Sequence, residues 1–316
     1  MSYAQFGLIE ASDYNTLAGG NPVTSSGKIN TVWATGGGSA GYGQTALANV
    51  STGTSVLASS WANLVNTTAN AALHQGTSIT SVTAPSAGNT ITFNSAISTN
   101  LTTIYNNRLN AAAQGGTSSN TVTRGSSWSS SLTFTQTVTF ASGDAARYFF
   151  NAGGQLAITC SHSDTSSPID ILFNGLASNI GTVVLSAPTS GTITIASTPY
   201  SGVTKVGGGG NSPTILSNNG YYALTPSNAN VFTQTASGSG TYVNSFIRLI
   251  LQSNGTQGAN GDAGSVITLY TVWDEVPDGL PVANVSTTTL TVRPPSTTYI
   301  ANTWGAISLS GSVSGS

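Results

Sequence analysis

Residues 132–140 read LTFTQTVTF, and this stretch decides the fold class because its side chains alternate in chemistry with a period of two. Successive side chains of a β-strand point to opposite faces, so the alternation predicts a half-buried strand. Threonine suits the solvated face because β-branched residues favour extended backbone. The apolar positions are Leu132, Phe134, Val138 and Phe140, and the positions between them include Thr133, Thr135, Thr137 and Thr139.

Further strand-like runs follow, separated by turns rich in Gly, Asn and Pro. Residues 147–150 and 155–158 flank the sequence NAGG, which indicates a β-hairpin. The other candidate strands are residues 170–173, 182–185, 192–196, 242–251, 265–273 and 286–293. Many strands without an intervening helix predict an antiparallel β-sandwich or jelly-roll-like domain, which we place at residues 126–316, with a flexible loop at 207–210.

Residues 1–125 contain the helical patterns and form the predicted N-terminal region. Residues 12–15 offer N-cap chemistry for a short helix that Gly19 and Gly20 would end. A second helix would begin at Ser59 or Ser60 and end at Gly76. A third is expected from about residue 95 to 113. The apolar stripe of the second helix is formed by Trp61, Leu64, Val65, Thr68 and Ala72. The predicted fold is therefore mainly β, with a small helical N-terminal region.

Charged residues make up 5% of the chain, against about 25% in a typical globular domain. No Lys, Arg, Asp or Glu occurs between Lys28 and Arg108. Charge repulsion does little to keep such a molecule monomeric. We therefore expect its surface to be buried in an assembly, the alternative being a free protein with an unusual surface. The net charge of −2 favours neither nucleic acid nor an anionic membrane as a partner.

The sequence TCSHSD at residues 159–164 contains the only cysteine and one of the two histidines. Alternation places Leu156, Ile158, Cys160 and His162 on one strand face. We therefore predict that Cys160 continues a core row as a small apolar residue, and that His162 lies where the strand leaves the core. A single cysteine excludes an intramolecular disulfide, and no apolar run approaches the ~18–20 residues of a membrane span.

The sequence GGGSAG at residues 36–41 matches two known motifs through its composition. A dinucleotide-binding loop would need an acidic residue about 20 positions later, but the next acid is Asp144. A nucleophile elbow at Ser39 would need a following helix, and the sequence after Gly41 has no amphipathic pattern. A plain glycine loop is favoured.

Asp274, Glu275 and Asp278 form the only acidic cluster. They enclose Pro277 and Gly279, so the favoured interpretation is a turn. A metal site is the second interpretation and catalysis by paired carboxylates the third.

Several short pieces resemble structural proteins of tailed bacteriophages, especially tail fibres and virion proteins of marine and cyanobacterial phages. In the N-terminal region the pieces are residues 9–15 (IEASDYN), residues 41–44 (GYGQ), the helix with Trp61 and Leu64, and His74-Gln75. Residues 146–154 (ARYFFNAGG) and 271–275 (TVWDE) are similar in style to virion elements. None is a catalytic signature, so the resemblance implies a structural component and no enzyme, cofactor or metal.

The resemblance also implies a homo-oligomer, most readily a trimer, that joins other tail, neck or baseplate proteins. Residues 1–125 would attach to the particle, and residues 126–316 would project for host contact or further assembly. Residues 1–6 lack the basic and apolar regions of a signal peptide, so we expect synthesis in the host cytoplasm and a final location in the virion. The expected attachment residues are Tyr14, Asn15, Tyr42, Gln44, Trp61, Leu64 and His74.

Tyrosines in turn-like sequence are candidates for contact with a host glycan or protein, because a tyrosine ring gives a rigid amphipathic contact. These are Tyr200, Tyr221, Tyr222 and Tyr299, for which packing within loops is the favoured interpretation and contact with a partner is the alternative. Two other functions stay open beside the fibre. One is a purely structural neck, baseplate or capsid-decoration protein without a receptor. The other is a polysaccharide depolymerase, for which nine acidic residues leave few possible carboxylate pairs.

Overall fold

The computed structural model describes residues 10–19, 28–88, 95–237, 240–257, 264–277, 279–283 and 285–315. It confirms the predicted fold class. The protein is mainly β with antiparallel sheets, and a small helical region lies at the N-terminal end. Among the described residues, no helix is both long and apolar enough to cross a membrane.

The described residues of the N-terminal region form four helices: α1 (Ala11–Ala18), α2 (Ile29–Trp33), α3 (Ala58–Gln75) and α4 (Ser95–Asn106). Three of them confirm predicted helices, and α2 was not predicted. Gly76 ends α3 in the left-handed conformation, with φ of 67°, which glycine adopts without steric cost. Helix α4 ends before the predicted residue 113. The chain leaves the helix at Asn107, and the Ala111 amide then donates a hydrogen bond to the Thr194 carbonyl oxygen at 3.0 Å.

The described residues after the N-terminal helices form two large sheets, the small hairpin β5–β6 and two further α-helices. The five-stranded sheet has the order β1-β12-β3-β4-β7, and the six-stranded sheet has the order β13-β2-β11-β10-β9-β8. The strands are β1 (Ser118–Thr123), β2 (Ser131–Thr139), β3 (Gln155–His162), β4 (Thr182–Leu185), β5 (Ile193–Ile195), β6 (Thr198–Tyr200), β7 (Val203–Val206), β8 (Thr214–Ile215), β9 (Ala229–Thr235), β10 (Phe246–Ser253), β11 (Val266–Asp274), β12 (Ser286–Arg293) and β13 (Ser308–Gly315).

Strand β2 has the two-faced character that its sequence predicts. Leu132, Phe134 and Val138 are fully buried between the sheets. The threonines point to the outer face, where Thr135 lies opposite Tyr270 of β11 and Ser312 of β13. Burial of the apolar row is the main force that fixes the register, since a shift by one residue would expose that row.

The predicted hairpin around residues 147–158 is wrong in its first arm. Residues 143–151 form helix α5 (Gly143–Asn151), and only the second arm is a strand, β3. Ser142 caps the helix, because its Oγ accepts a hydrogen bond from the Ala145 amide at 3.0 Å. The buried side chains recur at helical spacing, at Ala145, Ala146, Phe149 and Phe150. A run of aromatic residues imitated a strand at a place where the cap and the spacing favour a helix.

The predicted strand at residues 170–173 is also wrong, because it lies within helix α6 (Pro168–Ile180). Ser167 is the N-cap and Pro168 occupies the first helical position, where its missing N–H costs nothing. The buried stripe of α6 has helical spacing and comprises Ile169, Phe173, Leu176, Ala177 and Ile180. The β region therefore contains two helices, contrary to the expectation of strands alone.

One hydrophobic core extends through both predicted regions. It includes Tyr14 and Trp61 from the helices and Phe134, Phe149 and Trp273 from the sandwich. Strand β1, which precedes residue 125, forms an edge of the five-stranded sheet by pairing with β12. The division into 1–125 and 126–316 stays a prediction, and the two parts pack against each other extensively.

Candidate functional site

The glycine loop at residues 35–41 lies where the helical region meets the sandwich. Gly36 and Gly41 have φ of 56° and 98°. At Gly41 a Cβ atom would overlap the Thr35 carbonyl oxygen, so only glycine fits there. The chain after Gly41 is extended and does not enter a helix. The plain-loop interpretation is therefore confirmed, and the structural context of both known motifs is missing at this loop.

Arg147 of α5 contacts this loop through its side chain, which is fully buried. Its Nη1 donates to the Ala40 carbonyl at 2.8 Å, and its Nη2 donates to the Thr35 carbonyl at 2.9 Å. Nε and Nη2 also donate to Asp144 Oδ1 at 3.1 and 2.9 Å. A guanidinium suits this place because its fixed fork of donors can satisfy several carbonyls and a carboxylate together.

Three further side chains bind the same loop. Asn151 Nδ2 donates to the carbonyls of Gly41 and Gly38 at 3.1 and 3.2 Å. Tyr222 donates its hydroxyl to Asn151 Oδ1 at 2.6 Å, and that hydroxyl lies 2.7 Å from the Gly38 carbonyl oxygen. Arg108 donates from Nε to the Ser39 carbonyl at 2.6 Å and from Nη2 to Ser39 Oγ at 2.8 Å. We call residues 35–41 with Arg108, Arg147, Asn151 and Tyr222 the junction.

The residues that follow the loop join the junction to both parts of the molecule. Tyr42 donates its hydroxyl to the Arg108 carbonyl at 2.8 Å and accepts a hydrogen bond from Gln75 at 2.9 Å. Burial raises the pKa of Tyr42 above its usual range, although the Gln75 hydrogen bond and the Arg108 charge oppose this. Gln44 exchanges two hydrogen bonds with the Ala301 backbone, each of 2.9 Å. These hydrogen bonds connect the segment before β13 to the helical region.

The seven predicted attachment residues lie mostly inside the protein. Tyr14, Tyr42, Trp61, Leu64 and His74 are buried, and Gln44 is nearly so. Asn15 is partly buried and bonds to the Val50 backbone through both ends of its amide, at 2.9 and 2.8 Å. These side chains therefore stabilise the helical region and its contact with the sandwich. Their role in attachment stays a prediction, and that role would be indirect, through the fold of this region.

His74 is buried against the sandwich and links stability to pH. Its Nε2 lies 3.0 Å from the Ala152 carbonyl oxygen, to which it donates. Burial lowers its pKa to about 4, although this hydrogen bond opposes the shift. Protonation therefore favours the unfolded chain, in which an ordinary histidine titrates near pH 6.5.

We expect His74 to contribute stability that is present above pH 6.5 and is lost as the pH falls toward 4, by about 3 kcal/mol. Gln at position 74 keeps an N–H donor and does not titrate. Urea unfolding of the wild type and of His74→Gln at pH 7 and pH 4 measures the difference. Equal pH dependence in the two proteins would show that His74 does not titrate as described.

The four predicted contact tyrosines differ in exposure. Tyr221 is buried, stacks on Phe150 with ring centroids 4.2 Å apart, and donates to Gln257 at 2.6 Å. Tyr200 is also buried, in the small core beside β5. The expected exposure of these two is therefore wrong, because their turn-like sequence conceals core contacts. Tyr222 is partly buried, and Tyr299 is 38% exposed. Contact with a host surface stays a prediction for the latter two.

The TCSHSD sequence contributes His162 to a buried Ser-His-Asp chain. His162 Nδ1 lies 3.0 Å from Ser286 Oγ, and its Nε2 lies 3.3 Å from Asp170 Oδ1. Trp128 Nε1 lies 3.2 Å from Ser286 Oγ. Since an indole can only donate and a carboxylate only accepts, the hydrogen bonds run from Trp128 through Ser286 and His162 to Asp170.

The Ser-His-Asp chain is built to stabilise the fold and cannot receive a substrate. Ser286, His162 and Asp170 are each at most 3% exposed. The ring nitrogens are exchanged relative to hydrolase triads, where Nε2 faces the serine. Burial lowers the pKa of His162 more than Asp170 raises it, so the ring is neutral near pH 7. Burial raises the pKa of Asp170, but hydrogen bonds from Ser167, the Ala283 amide and His162 outweigh it and leave that pKa lowered.

Sequence reasoning found His162 but missed both of its partners. Ser286 lies opposite His162 on β12, and Asp170 lies in the first turn of α6. His162 is therefore a core residue, although it was predicted at the point where β3 leaves the core. The Ser-Pro-x-Asp start of α6 was the available signal for Asp170, since this pattern is typical of a capped helix. Strand pairing, which brought Ser286 close, has no local signal.

Cys160 packs against the core from a partly buried position. It lies beyond Thr159, the last residue of β3 that pairs with β4, so that side of the strand is open there. Burial raises the pKa of the thiol to about 12, although its contact with Thr288 opposes the shift.

We expect native Cys160 to react with a thiol reagent at pH 8 roughly a thousandfold more slowly than an unperturbed cysteine, because the thiolate fraction is so small. Labelling followed by mass spectrometry measures the rate, and the urea-unfolded chain is the reference. Native labelling at the unfolded rate would contradict the burial of the thiol.

The acidic cluster belongs to a turn, as far as it is described. Glu275 is fully buried, and its two carboxylate oxygens accept from the amides of Leu280 at 3.0 Å and Ser130 at 3.4 Å. Asp278 lies outside the described residues. Across the described part of the chain, no group of three or more His, Cys, Asp or Glu is placed to hold a metal ion. The position of Glu275 agrees with the turn interpretation.

The helical region has a groove of about 430 Å³ between α3, α4 and residues 77–82. Asn100 holds this segment in place through two hydrogen bonds with the Thr80 backbone, of 2.8 and 3.0 Å. Leu73 lies at the groove and is 49% exposed. The apolar lining residues are Val65, Leu73, Ile79, Val82 and Ile97. The groove lies within the stretch that has no charged residue.

The junction, the buried Ser-His-Asp chain and the uncharged groove are the features from which a function can be argued. Comparison with protein-family models, with curated proteins and with solved structures finds no match for this chain.

Proposed function

We propose that this protein is a structural subunit of a tailed-bacteriophage particle, in the tail or neck, that attaches through its helical region and presents the sandwich outward. The observation that carries the proposal is the uncharged apolar groove on α3 and α4. An exposed apolar groove with no charged lining residue fits an equally uncharged apolar segment of another virion protein. Such a contact depends little on salt, because there is little charge to screen.

The location of the phage-like pieces also supports the proposal. Residues 41–44, the end of α3 at His74 and Gln75, and residues 146–154 come from distant parts of the sequence and all contribute to the junction or its immediate contacts. A structural protein needs all the residues that fix the connection between its two parts. Three of the phage-like pieces therefore meet at the connection between the proposed attachment part and the proposed projecting part.

A second candidate function is a structural subunit without a receptor, and a specific surface favours it. The outer face of β1 and β12 carries three cross-strand hydroxyl pairs, with oxygen separations of 2.9, 3.0 and 2.9 Å. The pairs are Ser119 with Thr291, Thr121 with Thr289, and Thr123 with Thr287. Such a regular uncharged face can lie against a neighbouring subunit. Saturable binding of the purified protein to host cells would favour the fibre, and its absence would favour this second function.

The attachment proposal is tested with Leu73→Glu in the phage genome. A carboxylate at this exposed position leaves the fold intact but cannot enter an apolar contact without a large desolvation cost. We expect purified particles to lack the variant protein or to contain far less of it. The matched control is Ile171→Glu on α6, because Ile171 is 58% exposed and lies outside the groove.

Quantitative mass spectrometry of purified particles gives the copy number of each variant. Unfolding midpoints of the isolated proteins show whether both variants fold. Normal incorporation of Leu73→Glu, or equal loss of both folded variants, would overturn attachment through the groove.

A further inference from the structure

A second cavity, of about 250 Å³, lies beside the junction. Its walls are the Gly38 and Ser39 loop, Arg108 after α4, residues 188–190 of the sandwich, and Tyr222. Pockets for drug-sized ligands measure about 300–1,000 Å³, so this smaller cavity suits a small molecule or one unit of a longer chain. The helical region and the sandwich both contribute to it, which makes the cavity a property of the joined molecule.

Arg108 is held rigidly at this cavity. Nε and Nη2 donate to Ser39, and Nη1 donates to the Tyr105 carbonyl at 2.9 Å. The guanidinium also stacks over the Tyr105 ring, 4.4 Å from its centroid. Every partner of Arg108 is therefore neutral. A guanidinium has five N–H groups, so each terminal nitrogen keeps one N–H that has no acceptor among the described residues.

The surroundings of Arg108 leave its charge uncompensated. No acidic residue is among the described residues that line the cavity, and the arginine–carboxylate ion pair near the junction, Arg147 with Asp144, does not include Arg108. The Arg147–Asp144 pair, which also touches the junction, is neutral as a whole. A preorganised guanidinium with free donors and no local carboxylate is the chemistry that binds a ligand carboxylate.

The rest of the cavity suits the remainder of a sugar. Thr189 and Ser190 are exposed at the rim and offer hydroxyls. Tyr222 is fixed by its hydroxyl contact with Asn151 and supplies part of an aromatic ring to the wall. Sugar rings present hydroxyls at their edges and C–H groups on their faces, so hydroxyl and aromatic groups match them.

We propose that this cavity binds the carboxylate of an acidic sugar unit, with Arg108 as the anion-binding residue and Ser190 at the entrance. The inference deepens the proposed function, on which it rests for its biological meaning, because it names the chemical class of host-surface glycan that the protein would contact where the helical region meets the sandwich. Binding of the acidic sugar requires only the folded protein and does not require a phage particle.

The test uses glucuronate as the probe, with glucose and acetate as the two comparisons. Binding to the purified full-length protein is measured by calorimetry or ligand-observed NMR. We expect glucuronate to bind at least about tenfold more tightly than glucose, since a hydrogen-bonded charge adds that much. We also expect it to bind more tightly than acetate, which lacks the sugar ring that Thr189, Ser190 and Tyr222 would contact. Ser190→Asp keeps Arg108 and its loop contacts but repels an anion, so we expect it to abolish binding. Ser310→Asp on the exposed face of β13 is the matched control and should bind normally.

Arg108→Gln is the second variant and should also lose glucuronate binding, with folding checked by its unfolding midpoint. Equal affinity for glucuronate and glucose, or for glucuronate and acetate, would overturn the proposal, and so would undiminished binding by Ser190→Asp. Leu73→Glu should bind glucuronate normally. Incorporation into particles and glucuronate binding are therefore measured independently, so the attachment proposal and the sugar-binding proposal can fail separately.

Discussion

Replacing Arg147 with Met should lower the free energy of unfolding by about 3–5 kcal/mol, because the carbonyls of Thr35 and Ala40 would lose their buried donors. Met fills much of the same volume, so the loss reports hydrogen bonding more than packing. Urea unfolding at pH 7, followed by tryptophan fluorescence, measures the change. Loss of these bonds also releases the glycine loop from α5, and we therefore expect faster amide exchange in residues 35–44.

Arg124→Met is the matched control, because the Arg124 side chain donates from Nε to the Ser126 carbonyl at 3.2 Å and the residue is only partly buried. Its effect should stay within about 0.5 kcal/mol, as for most surface substitutions. A loss below 1 kcal/mol in Arg147→Met would mean that water or neighbouring donors satisfy the loop, and that Arg147 does not hold the junction.

Replacing Phe150 with Ala should cost about 3–5 kcal/mol, the usual range for a buried phenylalanine. The side chain is fully buried. It stacks on Tyr221 and meets Phe149 edge to face with ring centroids 5.1 Å apart. Its removal leaves a cavity between α5 and the segment that positions Tyr222. The measurement is again urea unfolding.

Ile171→Ala is the control for Phe150→Ala, since Ile171 is apolar but largely exposed and should change stability by about 0.5 kcal/mol or less. Comparable losses in the two variants would indicate that burial of Phe150 contributes little. We also expect Phe150→Ala to weaken glucuronate binding, because Tyr222 lines that cavity.

The sequence predicts best those parts of the fold in which local pattern and burial agree. Strand β2 alternates with a period of two, interrupted on its buried face only by Gln136. Helix α3 combines an apolar stripe with Gly76 at its end, so both elements were predicted correctly. Helices α2, α5 and α6 were not predicted, and the last two show the limit of pattern reasoning. In α5, four consecutive bulky residues imitate a strand, although the cap at Ser142 and the spacing of the buried residues indicate the helix. In α6, residues 170–173 were predicted as a strand, although the Ser167-Pro168 pair before them is typical of the start of a helix.

The candidate sites depend on contacts between distant residues, which no local pattern encodes. Arg147 and Gly38 are 109 positions apart, and His162 and Ser286 are 124 apart. Tyr221 was expected at the surface because of its turn-like neighbours, yet it stacks on Phe150. The scarcity of charge was informative in another way. It indicated an uncharged surface for assembly, and an uncharged apolar groove is present on α3 and α4.

We expect the junction to join the helical region and the sandwich into one folding unit. Pulse-labelling hydrogen exchange across a urea series tests it most directly, by following the amides of α3 and β11 in the same sample. We predict that both sets lose protection at the same urea concentration in the wild type, and that α3 loses protection first in Arg147→Met. Loss of protection in α3 while β11 stays protected in the wild type would contradict the claim.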